Sequence, residues 1–111
     1  MPELVTRSRT HDLKCWPPFF QAISDGDKTF EVRKNDRGFQ KGDHLILREW
    51  NPTYNYGSGA YTGQQLDKIV TYVLQGGAFG IEPAYCVMGL ADWYVDASRT
   101  LFTFRIGGSR G

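Results

Sequence analysis

The sequence predicts an α+β domain, mostly strand with one short helix, and three observations carry that reading. Apolar and polar residues alternate over several short runs, the period of half-buried strands. One segment, Phe19, Phe20, Ala22 and Ile23, instead places its apolar residues at spacings of three and four, a single helical stripe. The chain has 111 residues, which suits one domain able to bury a core without disulfides or metal.

Residues 1–10 read as a flexible polar lead. Arg7 and Arg9 there are either a basic arm for phosphates or part of a frayed terminus. The single domain then spans 11–111. Residues 11–15 read as a first strand, stopped by Pro17 and Pro18, which suit a first helical turn instead. The helix ends at Asp25-Gly26, glycine being favoured just past a helix end.

Strict alternation follows, with Phe30 and Val32 on one face and Thr29, Glu31 and Arg33 on the other. The apolar face is expected inside and the polar face wet. Asn35-Asp36-Arg37-Gly38 and Gln40-Lys41-Gly42-Asp43 read as turns. His44 to Trp50 is the next strand and a neighbour of the one before it, with Leu45 and Leu47 opposite His44, Ile46 and Arg48.

Residues 51–63 read as a long glycine- and tyrosine-bearing loop. Its Tyr54, Tyr56 and Tyr61 either stack on bases or cap an apolar end of the fold. Leu66 to Leu74 is apolar on both faces, with Val70, Tyr72 and Leu74 opposite Ile69, Thr71 and Val73, and therefore central. Residues 75–83 are a loop or very short helix, and Tyr85 to Leu90 a strand. Alternation over Leu101 to Ile106 marks an added C-terminal strand, paired on the sheet edge or across a dimer.

Composition narrows the function classes. A net charge of +1 argues against an extended basic wrap around nucleic acid and leaves room for a local patch. Cys15 and Cys86 have no metal-ligand spacing and read as buried free thiols, which points to a reducing, cytoplasmic setting. With His11 and His44 as the only histidines, no metal site is expected, and no cofactor. Gly76, Gly77 and Gly80 lack the strand-to-helix context of a phosphate loop. No apolar run approaches the length of a membrane helix, and the N-terminus lacks a signal peptide's apolar core.

Two readings of the charged strand face stand side by side. One is a solvated face whose charge pairs contribute at most about 1 kcal/mol. The other is a site, because Lys28, Glu31, Arg33, Arg37, Arg48 and Glu49 are many charges for two short neighbouring strands and their flanks. Charges gathered on one wall suit an anionic or amide-bearing ligand.

The ordered strings His11-Asp12-Leu13-Lys14, Trp16-Pro17-Pro18-Phe19-Phe20, Gly26-Asp27-Lys28-Thr29-Phe30-Glu31-Val32-Arg33-Lys34-Asn35-Asp36-Arg37, Gly42-Asp43, Leu47-Arg48-Glu49-Trp50 and Tyr61-Thr62-Gly63 resemble the DUF3850 family, within the ASCH domains of the PUA-like superfamily. The resemblance covers residues 10 to 90. It implies a small PUA-like (ASCH) mixed β-barrel with one or two short helices, and RNA or nucleotide binding in a cleft between the first helix and strand 28–33. The binding residues expected are Lys28, Glu31, Arg33, Arg37, Arg48 and Tyr61. Lys28, Arg33 and Arg37 meet phosphate or base carbonyls, and Glu31 accepts from an exocyclic amine.

An amidohydrolase relative acting on N4-acetylcytidine implies an alternative, with Lys28 and Glu31 as a catalytic pair. Lys28 matches that enzyme's lysine in a Gly-x-Lys-Thr segment. Glu31 stands where that enzyme has threonine, and Glu82 is placed nearest its later glutamate. A third reading makes the charged face a surface for a protein partner. Oligomeric state is left open.

Overall fold

The order of elements in the computed structural model, which describes residues 8–96 and 101–105 and side chains as far as Trp93, follows the sequence reading closely. It is β1 (Thr10–Cys15), α1 (Pro17–Ser24), β2 (Phe30–Lys34), β3 (His44–Asn51), β4 (Ala60–Gln75), β5 (Tyr85–Asp96) and β6 (Leu101–Arg105). The expected lead over 1–10 therefore lies largely outside the described residues. Arg9 is anchored rather than free: its guanidinium donates to the carbonyls of Arg37 and Gly38.

One sheet in the order β1-β3-β4-β5-β2 curls into a half-barrel. β1 and β3 run parallel, and the other pairs are antiparallel. β6 pairs with β5 in the same chain. Asp92 of β5 faces Lys68 of β4 and Arg105 of β6, so β6 takes the stretch of that edge of β5 beyond β2.

The expectation that β2 and β3 are neighbours is overturned. Residues 35–43 do not make a hairpin but cross from one end of the sheet order to the interior. Phe39, midway, is buried in the core, and its amide is held by the Asn35 side chain. Asp43, nearly inaccessible, fixes the end of the crossing. Its carboxylate accepts from His11 at 2.8 Å, from the Gln40 amide at 3.0 Å and from the Arg9 amide at 3.3 Å.

Pro17 and Pro18 start α1, as their fixed backbone angle favours. Gly26, with φ +85°, ends it. Phe20 and Ile23 enter the core beside Leu13, Leu45, Leu47, Val70, Met88 and Leu90, while Phe19 turns outward.

The strand expected over 66–74 begins at Ala60, so Tyr61 belongs to β4 and the turn ends at Gly59. Tyr54 and Tyr56 stay exposed. β4 is central, but a bulge between Val70 and Tyr72 reverses its facing. Val70 and Val73 both reach the core, where strict alternation had separated them.

Candidate functional site

The alternation of β2 is as read, and its polarity is inverted. Glu31 is 4% exposed, whereas Phe30 and Val32 are 43% and 50% exposed. The wet-face reading of Glu31 is thereby corrected. A carboxylate enters a protein interior only when charges and hydrogen bonds replace its water. Here Lys28 Nζ lies 3.0 Å from Oε1, and Arg33 Nε lies 2.8 Å from Oε2. Lys28 also donates to the Phe30 carbonyl at 2.7 Å, so two of its three donors are engaged.

Arg33 has a second task. Its Nη2 donates to the Lys14 carbonyl, and Arg37 Nη1 donates to the Asp12 carbonyl at 3.2 Å. These carbonyls belong to β1, at one end of the sheet order, while Arg33 belongs to β2 at the other. Guanidinium side chains thus bridge the two ends of the half-barrel where a backbone ladder is missing.

Beside this bridge lies a cleft of about 520 Å³, bounded by Lys14, Trp16, Phe19, Lys28, Glu31 and Arg33, with Cys15, Val32, Lys34 and Tyr85 completing it. Trp16 and Phe19 are each about half exposed, at 51% and 53%. The Lys28 ammonium sits 4.9 Å from the Phe30 ring centre and 5.8 Å from that of Phe19.

Of the six expected binding residues, Lys28, Glu31 and Arg33 meet in this cleft. Arg37 stands apart, beside Asp12. Arg48 and Tyr61 lie on the opposite face of the sheet, since inward Leu45, Leu47 and Glu49 alternate with outward Ile46 and Arg48. Glu82 is exposed and does not line the cleft.

The sequence reading counts Glu49 among the charges of the strand face, and the structure buries it. Only 8% exposed, it accepts from Thr62 Oγ1 at 2.7 Å and from Gln64 Nε2 at 3.4 Å. Its parity with Leu45 and Leu47 is the signal that places it inside.

Cys15 lies under the cleft. Burial first, then the negative charge of Glu31, pushes its thiol up from 9.0 to about 11. The unfolded chain loses this proton near pH 9 and the folded chain only near pH 11. Folding stability is therefore full below pH 9 and falls as pH rises through that window, by about 2 kcal/mol. Urea melts at pH 8 and pH 10.5 should show this fall, and Cys15→Ala should remove most of it. The remainder comes from Cys86, whose thiol burial also raises. An unchanged pH response in Cys15→Ala would show the thiol is not the source.

Among the described residues, no group of three or more His, Cys, Asp or Glu is arranged to hold a metal ion, and no helix is long and apolar enough to cross a membrane.

The profile of the family described as "Domain of unknown function (DUF3850)" matches residues 10–90. The chain belongs to this family. The matched span of this DUF3850 domain runs from β1 into β5 and includes the whole cleft, and β6 lies beyond it. The chain is also 33% identical over 66 residues to "Uncharacterized 12.9 kDa protein in GpA 3'region" of Escherichia phage P2. That alignment covers 60% of the chain and 55% of the phage protein, so the chain spans about half the length of the curated relative it matches.

Proposed function

We propose that this DUF3850 domain binds single-stranded RNA or a nucleotide in the cleft between α1 and β2, and that its half-barrel is a PUA-like (ASCH) fold working in a reducing cytoplasm. One observation carries the binding reading. Lys14, Lys28, Arg33 and Lys34 line the cleft with a single carboxylate, Glu31, in a chain whose net charge is only +1. Charge is thus concentrated where exposed Trp16 and Phe19 offer ring faces. Cations for phosphate beside aromatic faces for bases make a single-strand site.

In this reading Lys28 and Arg33 meet phosphate or a base carbonyl, and Glu31 accepts from an exocyclic amine. A second reading, hydrolysis of small amides on modified nucleosides with Lys28 and Glu31 as the catalytic pair, draws on the 3.0 Å contact between the two side chains.

Salt separates the two. Neutralising about three phosphates gives a slope of about −2 in log affinity against log salt for single strands, or roughly 20-fold weaker binding at 200 mM than at 50 mM. Anisotropy titrations of a short labelled RNA should show this, and Lys28→Ala should flatten the slope by about 0.7. Salt-insensitive binding, with N4-acetylcytidine turnover that disappears in both Lys28→Ala and Glu31→Gln, would replace the RNA reading by the hydrolase one.

A further inference from the structure

Arg48 and Tyr61 miss the cleft, yet they are not scattered. β1 and β3 align Lys14 with Arg48, and β3 and β4 align Trp50 with Tyr61. All four point outward from the half-barrel. The Lys14 ammonium lies 4.4 Å from the centre of the Trp50 ring, and the Arg48 guanidinium 4.8 Å from that of Tyr61. This is a two-by-two patch of cations and aromatics on one sheet face.

Two features make it more than ordinary surface contact. The patch is continuous with the cleft, because Lys14 borders both. It is also held in shape. A Cβ at Gly59 would stand 2.0 Å from the Trp50 ring, so that ring packs directly against the turn backbone. A carboxylate, Asp12, adjoins the patch, 3.7 Å from Arg48 Nε and more than half exposed. It neutralises part of one cation, and Lys14 has no ion pair among the described residues.

We propose that this outer face is a second subsite for the same single-stranded RNA, resting on the cleft reading above. The strand leaves the cleft past Lys14, crosses the β1 edge, and lays the next base on Tyr61, with Arg48 and Lys14 on the intervening phosphates. Charge complementarity and continuity select this occupant. Successive bases on aromatic platforms flanked by basic groups are how single-strand modules extend their sites over about 4–16 nucleotides. Arg48 already stacked on Tyr61 adds a planar cation to the platform.

The test uses two probes with the full chain: a nucleoside monophosphate, which fills only the cleft, and a single-stranded RNA of about eight nucleotides, within the span such modules cover. Tyr61→Ala should weaken the oligonucleotide about tenfold, the lower part of the range for one stacked base. Arg48→Ala should lower its salt slope by about 0.7, one phosphate contact. Neither should alter monophosphate binding, whereas Lys28→Ala should weaken both probes. Oligonucleotide binding unchanged in Tyr61→Ala and Arg48→Ala, but lost in Lys28→Ala, overturns the second subsite and leaves the cleft reading standing. No binding of either probe overturns both. Circular dichroism melts of the two surface variants, expected within about 0.5 kcal/mol of wild type, guard against loss through unfolding.

Discussion

Glu31→Ala should destabilise the domain by about 2–3 kcal/mol, and Glu31→Gln by about 1 kcal/mol. The reasoning starts from what each variant leaves behind. Alanine removes the carboxylate that pairs with both Lys28 and Arg33, whose side chains are 17% and 24% exposed. Two cations then share a mostly buried space with no counter-charge. Losing one member of a buried pair costs about 3–5 kcal/mol. Partial exposure lets both cations reach some water, which places the expectation at the low end.

Glutamine keeps the shape and an acceptor for one cation, so most of the loss is avoided. Chemical melts give both values, and a thermal midpoint about 10 °C lower is the corresponding reading for alanine. If Glu31 were a solvated strand residue, both variants would fall within about 0.5 kcal/mol of wild type. That result would remove the anchor from the cleft. Arg33 links stability to site shape, since the same guanidinium holds Glu31 and the Lys14 carbonyl of β1. Loss of Glu31 is therefore expected to loosen the bridge between the sheet ends as well.

This residue also shows what could be read before the fold was known. Alternation placed Glu31 opposite Phe30 and Val32, and the structure agrees. Which side faced inward was not legible, because a local pattern does not contain the counter-charges. Lys28 and Arg33 read equally well as solvated neighbours or as burial partners. Glu49 was legible in principle, since it continues the parity of Leu45 and Leu47.

The distance of Arg48 from Lys28 is hidden in the sequence for a different reason. Consecutive strands commonly pair, and β2 and β3 do not. The crossing from Asn35 to Asp43 depends on Phe39 finding the core and on Asp43 gathering His11, Gln40 and Arg9, contacts that span as many as 34 positions in sequence. Bulges set a similar limit. The shift between Val70 and Tyr72 reverses the facing of β4, and no period-two count contains it. The helix, by contrast, is legible in the sequence, because its prolines, the apolar spacing of Phe20 and Ile23 and the closing glycine are all local.

The largest loss of stability from a single methyl group is expected at Gly76. A Cβ built there would lie 1.8 Å from the Glu82 carbonyl oxygen and 2.6 Å from that of Tyr85. Both obstacles are backbone, so no rotamer change relieves them. The β4–β5 connection must open, breaking the Gly76 amide bond to the Tyr85 carbonyl and the Gly77 amide bond to the Ile81 carbonyl. Gly76→Ala should therefore cost about 3–4 kcal/mol, in the range reserved for strain and broken buried networks.

Gly77→Ala is the control. Gly77 has φ +103° and open space around its missing Cβ, so only the left-handed backbone penalty applies, about 1–2 kcal/mol. A generic glycine effect would make the two variants alike, and a steric one makes Gly76→Ala clearly worse. The consequence reaches the cleft. The same connection supplies the Ala84 carbonyl that receives the Asn35 amide at the end of β2, and it carries Tyr85 into the cleft wall. Ligand affinity measured well below the melting range should therefore fall in Gly76→Ala and hold in Gly77→Ala. Equal affinities would mean that the cleft keeps its shape without this turn.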